Sequence, residues 1–578
     1  MNLLFILGVS VSILLLGYIF YGRFIERTFE VDGSHVTPAV ELKDDVDYVP
    51  THKVVIFGHH FSSIAGGGPI IGPCVGLIFG FLPVWIWIIL GTVFIGAVHD
   101  YSVLLASMRE KGRSVAEIAE KTLGRTGFLL FIGFTIIMLL MITSVFLTLT
   151  TTALASKYPV EFFGTGDIGL RTVVENGVTY AVIGGIASTS VIIITLCAPL
   201  LGYLLYKRGM NVWIMSLASL IICAVSIEIG LIMPVKLDPF VWMIVISVYT
   251  IFAAGVPVWV VLQPRDFTNS FLLYGGILAM FISSLVLGFQ GVKMEAPLLN
   301  LAVGTQRLGY LWPILFITVA CGAISGFHSL VAGGTTAKQI SNEKPDSRMV
   351  GFGGMSLEAL LALMVIVTIG CGLSYDKFCA IVFPVAAGVK SNPVLGFALG
   401  VGGLVNRALG IPIVYGVVFG ILMVEGFVVT TLDTAVRLNR YLLEELWHML
   451  FTNVPRLFKT YIFNSFLCVA LMFILAYFNA FRQLWKLFGA ANQLLAALAL
   501  ITVSVWLLKR GKHYLFAMIP GLFMMITTIV ALVLILVKEY LPNGNWMLST
   551  GDIILLCLSG GVILLSAKQL IQKRKTGA

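Results

Sequence analysis

The stretch that decides the fold is residues 57–73, which read FGHHFSSIAGGGPIIGP. It opens a long hydrophobic run, yet it holds two histidines, two serines, three consecutive glycines and two prolines. In a helix, a glycine costs about 1 kcal/mol and a proline about 3 kcal/mol, so this sequence predicts an interruption near residues 65–69. Backbone groups freed inside a membrane must be satisfied by the protein or by a polar cavity. We therefore predict a discontinuous transmembrane helix; the alternative is close helix packing through small residues.

A second stretch repeats the pattern. Residues 325–336, SGFHSLVAGGTT, align with residues 58–69, so that Ala332-Gly333-Gly334 falls on Ala65-Gly66-Gly67. This match predicts a second interruption near residues 332–336. The two stretches are seven spans apart in the predicted order, which is an odd number, so their helices should run in opposite directions. Paired interrupted helices of opposite direction are the sequence signature of an inverted-repeat transporter.

The composition places the whole chain in a membrane. Of the 578 residues, 58% are hydrophobic and 11% are charged, whereas soluble domains have about 45–50% apolar and about 25% charged residues. This excludes a soluble enzyme, a nucleic-acid-binding protein and a disordered chain. The excess of 37 Lys+Arg over 28 Asp+Glu is spread over short loops. The eight cysteines lie in or beside apolar runs without zinc-ligand spacing, so we expect buried thiols rather than disulfides or zinc.

Apolar runs predict an all-α polytopic protein of about 17 transmembrane helices. The run 378–409 is either one helix or two short ones split at Asn392-Pro393. The predicted spans are residues 2–21, 57–75, 77–108, 127–155, 180–206, 211–233, 238–262, 270–290, 311–342, 354–373, 378–390, 393–409, 411–436, 460–479, 483–508, 514–537 and 551–570.

Basic residues orient these spans, because Lys and Arg collect in cytoplasmic loops. The loop 107–126 and the clusters near residues 207, 265, 338–348, 437–459, 509–512 and 573–575 all fall on one side of the threaded chain. We therefore expect the N-terminus outside and the C-terminus in the cytoplasm. The predicted organisation is a first helix and cytoplasmic loop (1–56), a first repeat half (57–310), a second half (311–450) and C-terminal helices (451–578).

The candidate site residues lie at the two interruptions or carry a charge inside a span. The substrate-binding candidates are His59, His60, Ser62, Ser63, Gly66, Gly67, Gly68, Ser325, His328, Ser329, Gly333, Gly334, Thr335 and Thr336. Ionisable groups within the bilayer are costly and indicate function by default, which makes His60, His328, Glu358, Glu425 and Asp433 the candidates for coupling. The alternatives are structural: Asp433 can pair with Arg437 one turn away, and Ser or Thr hydroxyls can bond their own helix.

Metal and nucleotide chemistry have little support in the sequence. A metal site from His59, His60, His99 and Asp100 is an alternative that the spacing does not favour, with His99-Asp100 expected at the cytoplasmic end of a helix. We expect no metal and no cofactor. The sequence has no Walker A loop and no GxSxG or HExxH motif, so we expect neither direct use of ATP nor enzymatic activity.

Four long strings resemble the carbon starvation protein A (CstA) family: HHFSSIAGGGPIIGP at 59–73, QPRDF at 263–267, CGAISGFHSLVAGGTTAKQ at 321–339 and TTLDTAVRLNRYLLEE at 430–445. The resemblance implies a bacterial inner-membrane transporter for peptides or pyruvate, in some members coupled to protons. It also implies the LeuT-like inverted repeat of the amino acid–polyamine–organocation superfamily. In that repeat the two broken helices are five spans apart; here they are seven spans apart, which requires two extra helices or another kind of repeat.

The sequence thus predicts a secondary active transporter that imports a small carboxylate-bearing solute, pyruvate or a short peptide, together with protons. A sodium-coupled carrier, a passive channel and a membrane sensor of starvation are the alternatives. The expected partners are the solute and the lipid bilayer, with no nucleic acid. Neither the choice between pyruvate and peptide nor the oligomeric state follows from the residues.

Overall fold

A computed structural model describes residues 2–163, 171–175, 177–385, 391–478 and 481–576. Single helical turns aside, its helices are α1 Leu3–Phe29, α2 Lys53–Ile64, α3 Gly68–Phe79, α4 Phe81–Arg109, α5 Val115–Leu123, α6 Arg125–Leu154, α7 Ile183–Lys207, α8 Val212–Ile232, α9 Pro239–Ala253, α10 Leu262–Phe289, α11 Leu301–Leu308, α12 311–318, α13 Gly326–Gly334, α14 Asp346–Gly372, α15 Tyr375–Val382, α16 Pro393–Leu409, α17 Ile413–Leu450, α18 Tyr461–Phe478, α19 Phe481–Lys509, α20 Leu515–Tyr540 and α21 Trp546–Thr576. A small antiparallel sheet of order β1-β3-β2 (β1 Tyr158–Pro159, β2 Thr172–Glu175, β3 Val178–Ala181) follows α6.

The number of spanning helices is lower than the expected count of about 17. In the described part of the chain, 12 helices are long and apolar enough to cross a membrane, or 13 if the bent pair α2–α3 counts as one span. The other four expected spans are short or broken. Helices α9 and α16 have 15 and 17 residues, run 311–342 is interrupted, and run 378–390 gives only the short α15, with residues 386–390 outside the described residues. An apolar run does not reveal whether it crosses the bilayer or turns back within it.

The uncertain run 378–409 resolves into two helices, and α16 begins at Pro393 with the Asn392 side chain accepting a hydrogen bond from the Leu395 amide at 3.0 Å. The C-terminal end of α16 lies beside the C-terminal end of α14, as the hydrogen bond from Arg407 to the Cys371 carbonyl at 2.7 Å shows. Helices α15 and α16 therefore form a hairpin whose two ends lie at the same end of α14.

Basic loops that are distant in sequence meet on one face of the molecule. Arg348 pairs with Glu26 at 3.1 Å, Lys111 with Glu41 at 3.0 Å, and Arg510 with Glu110 at 2.6 Å. We call this surface the basic face; it comprises residues 26–52, 109–125, 338–348 and 507–514. The sheet lies at the opposite end of α6. This grouping is what the positive-inside rule requires of cytoplasmic loops.

Burial separates central helices from peripheral ones. In the most apolar 18-residue window of each helix, 94% of the residues are buried in α19 and 83% in α17, but only 33% in α1, α8, α18 and α21. Apolar residues that stay exposed over whole helix faces suit contact with lipid. The chain is thus a multi-pass membrane protein with α17 and α19 near its centre.

Candidate functional site between two broken helices

The first interruption lies where the sequence predicts it. Helix α2 ends at Ile64, α3 begins at Gly68, and the two axes differ by 44°. Gly66 has φ of +24°, a backbone conformation that other residues rarely adopt. A Cβ atom on Gly66 would also lie 3.1 Å from the Phe146 ring. The break near residues 65–69 is confirmed.

Side chains from other helices satisfy the backbone carbonyls at the end of α2. A helix end leaves four carbonyls without helical partners, and inside a membrane these need partners from the protein. Three of them accept from distant side chains: Ser62 O from Thr430 Oγ1 at 3.0 Å, Ser63 O from Thr431 Oγ1 at 3.1 Å, and Ile64 O from His328 Nε2 at 3.2 Å. The first break is therefore held by α17 and by the second broken helix.

The second interruption begins earlier than predicted. Helical structure stops at Thr318 and resumes at Gly326, whereas we expected the break near residues 332–336. Gly333 and Gly334 instead form the last turn of α13, and the non-helical Thr335 follows them. Asn492 of α19 decides where α13 starts, since its Oδ1 accepts from the Phe327 amide at 2.8 Å. This cap comes from a remote helix, so the glycine motif alone could not reveal it.

The two broken helices run in opposite senses. Just before α2, the amides of Val49 and Thr51 donate to the carbonyls of Lys338 and Gln339, which follow α13, at 3.2 and 3.0 Å. The N-terminal end of α2 therefore lies beside the C-terminal end of α13, so the two helices run in opposite directions. We call residues 49–51 and 338–340 the bridge between the half-helices. At the other end α3 packs tightly on α12, since a Cβ atom on Gly72 would lie 2.5 Å from the Thr318 carbonyl oxygen.

Four ionisable side chains form a buried chain at this junction. His328 Nδ1 lies 2.8 Å from Asp100 Oδ2, and His328 Nε2 lies 3.2 Å from Glu358 Oε2. Asp100 Oδ1 in turn lies 2.7 Å from His99 Nδ1. We call these four residues, all inaccessible to solvent, the His328 chain. His99 and Asp100 are inside α4, well before its end at Arg109, so their expected position at the cytoplasmic end was wrong.

A second buried group surrounds Arg265 and Asp266 in α10. His59 Nδ1 lies 2.9 Å from Asp266 Oδ2, and Arg265 pairs with both Asp266 and Asp433. Tyr249 completes this Arg265 cluster by donating to Asp433 at 2.9 Å. The alternative pairing of Asp433 with Arg437 is therefore wrong. Arg437 instead pairs with Asp47 at 3.6 Å.

The remaining candidates join the Arg265 cluster, make separate contacts between helices, or bond within their own helix. Ser62 and Ser63 donate to Asp266, and His60 Nδ1 lies 2.8 Å from Thr336 Oγ1. Ser325 bonds Asn492, while Ser329 donates to Gly326 of its own helix at 2.6 Å. Gly67 and Gly68 pack closely at the break. Among the described residues, the buried Thr335 hydroxyl and both oxygens of the buried Glu425 have no hydrogen-bond partner.

The alternative metal site does not assemble in the described part of the chain. His59 contacts Asp266, His60 contacts Thr336, and His99 contacts Asp100. These pairs do not converge on one point, and the only group of three potential ligands among the described residues lies elsewhere, on the basic face.

A cavity of about 490 Å³ opens on the basic face and reaches the end of α13 at Gly334. Carboxylates dominate its charged lining, with one lysine and one histidine. We call it the acidic vestibule; its charged residues are Asp47, Glu117, Glu120, Glu444, Glu445, Lys338 and His448.

Two interrupted helices around buried ionisable groups in a multi-pass bundle are typical of membrane carriers. The family profile described as "Carbon starvation protein CstA" matches residues 2–389 and 373–531. The chain belongs to this family.

Relatives of this chain are named as transporters. A "Peptide transporter CstA" from Bacillus subtilis is 31% identical over 564 residues, covering 91% of this chain and 89% of the relative. A "Pyruvate/proton symporter BtsT" from Escherichia coli is 30% identical over 615 residues, covering 92% and 81%. Among solved structures, MhsT in complex with L-phenylalanine matches with 11% identity and a TM-score of 0.47, covering 88% of this chain and 99% of that one. The named relatives agree with the prediction that the chain is not an enzyme.

Proposed function

We propose that this protein is a secondary active transporter that imports a small carboxylate-bearing solute, pyruvate or a short peptide, by proton symport. The observation that carries the proposal is the His328 chain. It lies where the two broken helices meet and joins three helices through ionisable groups only. The names of the relatives support both substrates, and we leave the choice between them to experiment.

The solute would bind between the two interruptions of a LeuT-like inverted repeat. Helix α3 begins at Gly68 without a side-chain cap, so its amide groups and positive dipole end suit a carboxylate. Ser62, Ser63, His59 and His60 line the opposite half-helix. The repeat halves 57–310 and 311–450 are part of this proposal, as are the extra helices that separate them.

The proton would move on the His328 chain. An imidazole is the side chain best suited to bind a proton and release it again, and His328 lies between two carboxylates. Its charge sets the attraction between α13, which carries His328, and the helices that carry Asp100 and Glu358. Because His328 also bonds the Ile64 carbonyl, a change in its protonation alters the contact between the broken helices. Proton binding is thereby linked to the movement that exposes the site to either side.

The other ionisable candidates have different roles in this proposal. Asp433 neutralises Arg265, so we treat it as a fixed charge of the scaffold. Glu425 stands apart from both groups and is the second candidate for a proton site. Sodium coupling is less favoured, since Thr430 and Thr431 already donate to the carbonyls that would hold the ion.

The protein would lie in an inner membrane with its basic face on the cytoplasmic side. The N-terminus would then be outside and the C-terminus in the cytoplasm. The acidic vestibule would then be the route by which the solute leaves the site.

The test is uptake of labelled pyruvate and of a labelled dipeptide into proteoliposomes, with and without an inwardly directed proton gradient. We expect one of the two solutes to accumulate only when the gradient is present. Accumulation driven equally well by a sodium gradient would contradict proton symport. Simple equilibration under every condition would indicate a passive channel instead.

A further inference from the structure

A compact group of potential metal ligands lies on the basic face, away from both broken helices. Asp32 and His35 belong to the loop after α1, and Glu343 belongs to the loop between α13 and α14. One ligand atom from each of the three residues lies within 4.8 Å of the other two.

The spacing of these atoms suits a tetrahedral ion. His35 Nδ1 lies 3.3 Å from Asp32 Oδ1 and 3.5 Å from Glu343 Oε2. Zinc binds histidine nitrogen and carboxylate oxygen at about 2.0–2.2 Å, which places neighbouring ligand atoms of a tetrahedron about 3.4 Å apart. The two measured distances are close to this value.

An unpartnered oxygen points into the group. The Glu343 side chain is 2% exposed, and its Oε2 atom has no hydrogen-bond partner among the described residues. Its other oxygen pairs with Arg109 at 2.8 Å. A buried carboxylate oxygen without a hydrogen-bond partner is costly, and a cation bound beside it would compensate its charge.

Asp32 and His35 are placed to bind such a cation together with Glu343. The Ser34 amide and hydroxyl donate to Asp32 Oδ1 at 2.8 and 2.7 Å, which holds this carboxylate in place beside His35. The His35 side chain is 49% exposed, which leaves a path from the solvent and room for a water molecule as fourth ligand. Arg109 fixes the orientation of Glu343, as outer partners of metal ligands commonly do.

We propose that Asp32, His35 and Glu343 form a binding site for a first-row divalent cation of the zinc class. One imidazole with two carboxylates suits zinc better than magnesium or calcium, which prefer oxygen ligands alone. The ion would fasten the loop after α1 to the segment that follows the second broken helix. The site shares no residue with the proposed transport machinery.

The experiment measures zinc binding to the full-length protein, purified in detergent and stripped of metal with a chelator. By titration calorimetry we expect one zinc ion per wild-type chain. The variants Asp32→Asn, His35→Ala and Glu343→Gln should bind zinc at least about tenfold more weakly. His513→Ala, which removes an exposed histidine elsewhere on the basic face, is the matched control and should bind like the wild type.

Thermal unfolding gives a second readout that does not depend on transport. Zinc should raise the unfolding temperature of the wild type and of His513→Ala but not that of Asp32→Asn, a substitution at a side chain that is 62% exposed. Equal zinc binding by the wild type and His35→Ala would place the ion elsewhere and overturn the proposal. Absence of zinc binding by the wild type would overturn it as well, and would leave His35 as a partner of two carboxylates only.

Discussion

Two buried carboxylates of α17 differ in whether they have a partner. Asp433 is paired with Arg265, while Glu425 has no hydrogen-bond partner among the described residues. Removing one member of a buried ion pair costs about 3–5 kcal/mol when the other charge is left uncompensated. Arg265 keeps Asp266 as its second partner, so we expect Asp433→Asn to lower the free energy of unfolding by less, about 1.5–3 kcal/mol for the lost charged hydrogen bonds, and Glu425→Gln to change it little or to increase it. Thermal unfolding in detergent measures both variants side by side. Equal stability of the two would contradict the assignment of Asp433 as a fixed structural charge.

The sequence indicated which ionisable residues lie inside the helix bundle better than it indicated their partners. Charge within apolar runs is a local signal, so His328, Glu358 and Asp433 could be selected from the sequence. Their pairings depend on how helices pack. Asp433 meets Arg265 of α10 rather than Arg437 one turn away, and His328 meets Asp100 of α4. No spacing rule within one helix could predict these contacts.

At the scale of helices, the tight contact between the half-helices α3 and α12 makes a prediction about glycine. A methyl group on Gly72 would approach the Thr318 carbonyl oxygen to 2.5 Å, whereas one on Gly333 would meet nothing closer than 3.5 Å. Both residues are helical, so alanine improves helix propensity by about 1 kcal/mol at either position. We expect Gly72→Ala to lose about 1–3 kcal/mol through overpacking, and Gly333→Ala to be tolerated. Thermal unfolding of both variants tests this, and a stable Gly72→Ala would refute the close packing of the two half-helices.

The bridge predicts which elements move together. It links the start of α2 to the end of α13, and Ser341 Oγ adds a bond to the Thr51 carbonyl at 2.9 Å. Asp47, just before the bridge, contacts Tyr441 of α17 instead. We expect a short thiol cross-linker between Thr51→Cys and Ile340→Cys to leave uptake intact, because the two half-helices move as one body.

The same cross-linker between Asp47→Cys and Tyr441→Cys should stop uptake, because it ties that body to α17. Each single-cysteine variant treated with the reagent is the control for the eight native cysteines. Inhibition of uptake by the first cross-link and not by the second would contradict the proposal that α2 and α13 move together relative to α17.

The two interruptions show how far local sequence determines a helix. The first was placed correctly because three glycines and a proline act on their own backbone. The second was placed too late because its start is set by Asn492, which lies on another helix. The similarity of the two motifs reveals that a second break exists but not which peptide it includes.

For the whole molecule, the composition predicted a membrane protein, and the positions of Lys and Arg predicted which loops lie on the same side. The basic loops do meet on one face, as loop charge alone predicts. The predicted 17 spans exceed the 12 or 13 helices of the described residues that are long and apolar enough to cross a membrane, because half-helices and the hairpin of α15 and α16 are as apolar as long helices. The hydrophobicity of a segment indicates that it is buried or in contact with lipid, but not whether it crosses the bilayer.

The central claim is that the His328 chain couples proton movement to solute movement. The most direct measurement is the pH inside proteoliposomes, reported by a trapped dye, when the transported solute is added outside. We predict that the wild type and Glu425→Gln acidify the interior on addition of solute. Glu358→Gln, which keeps the shape of the side chain but cannot ionise, should exchange labelled for unlabelled solute without moving protons. Undiminished acidification by Glu358→Gln together with its loss in Glu425→Gln would contradict the account and place the proton on α17.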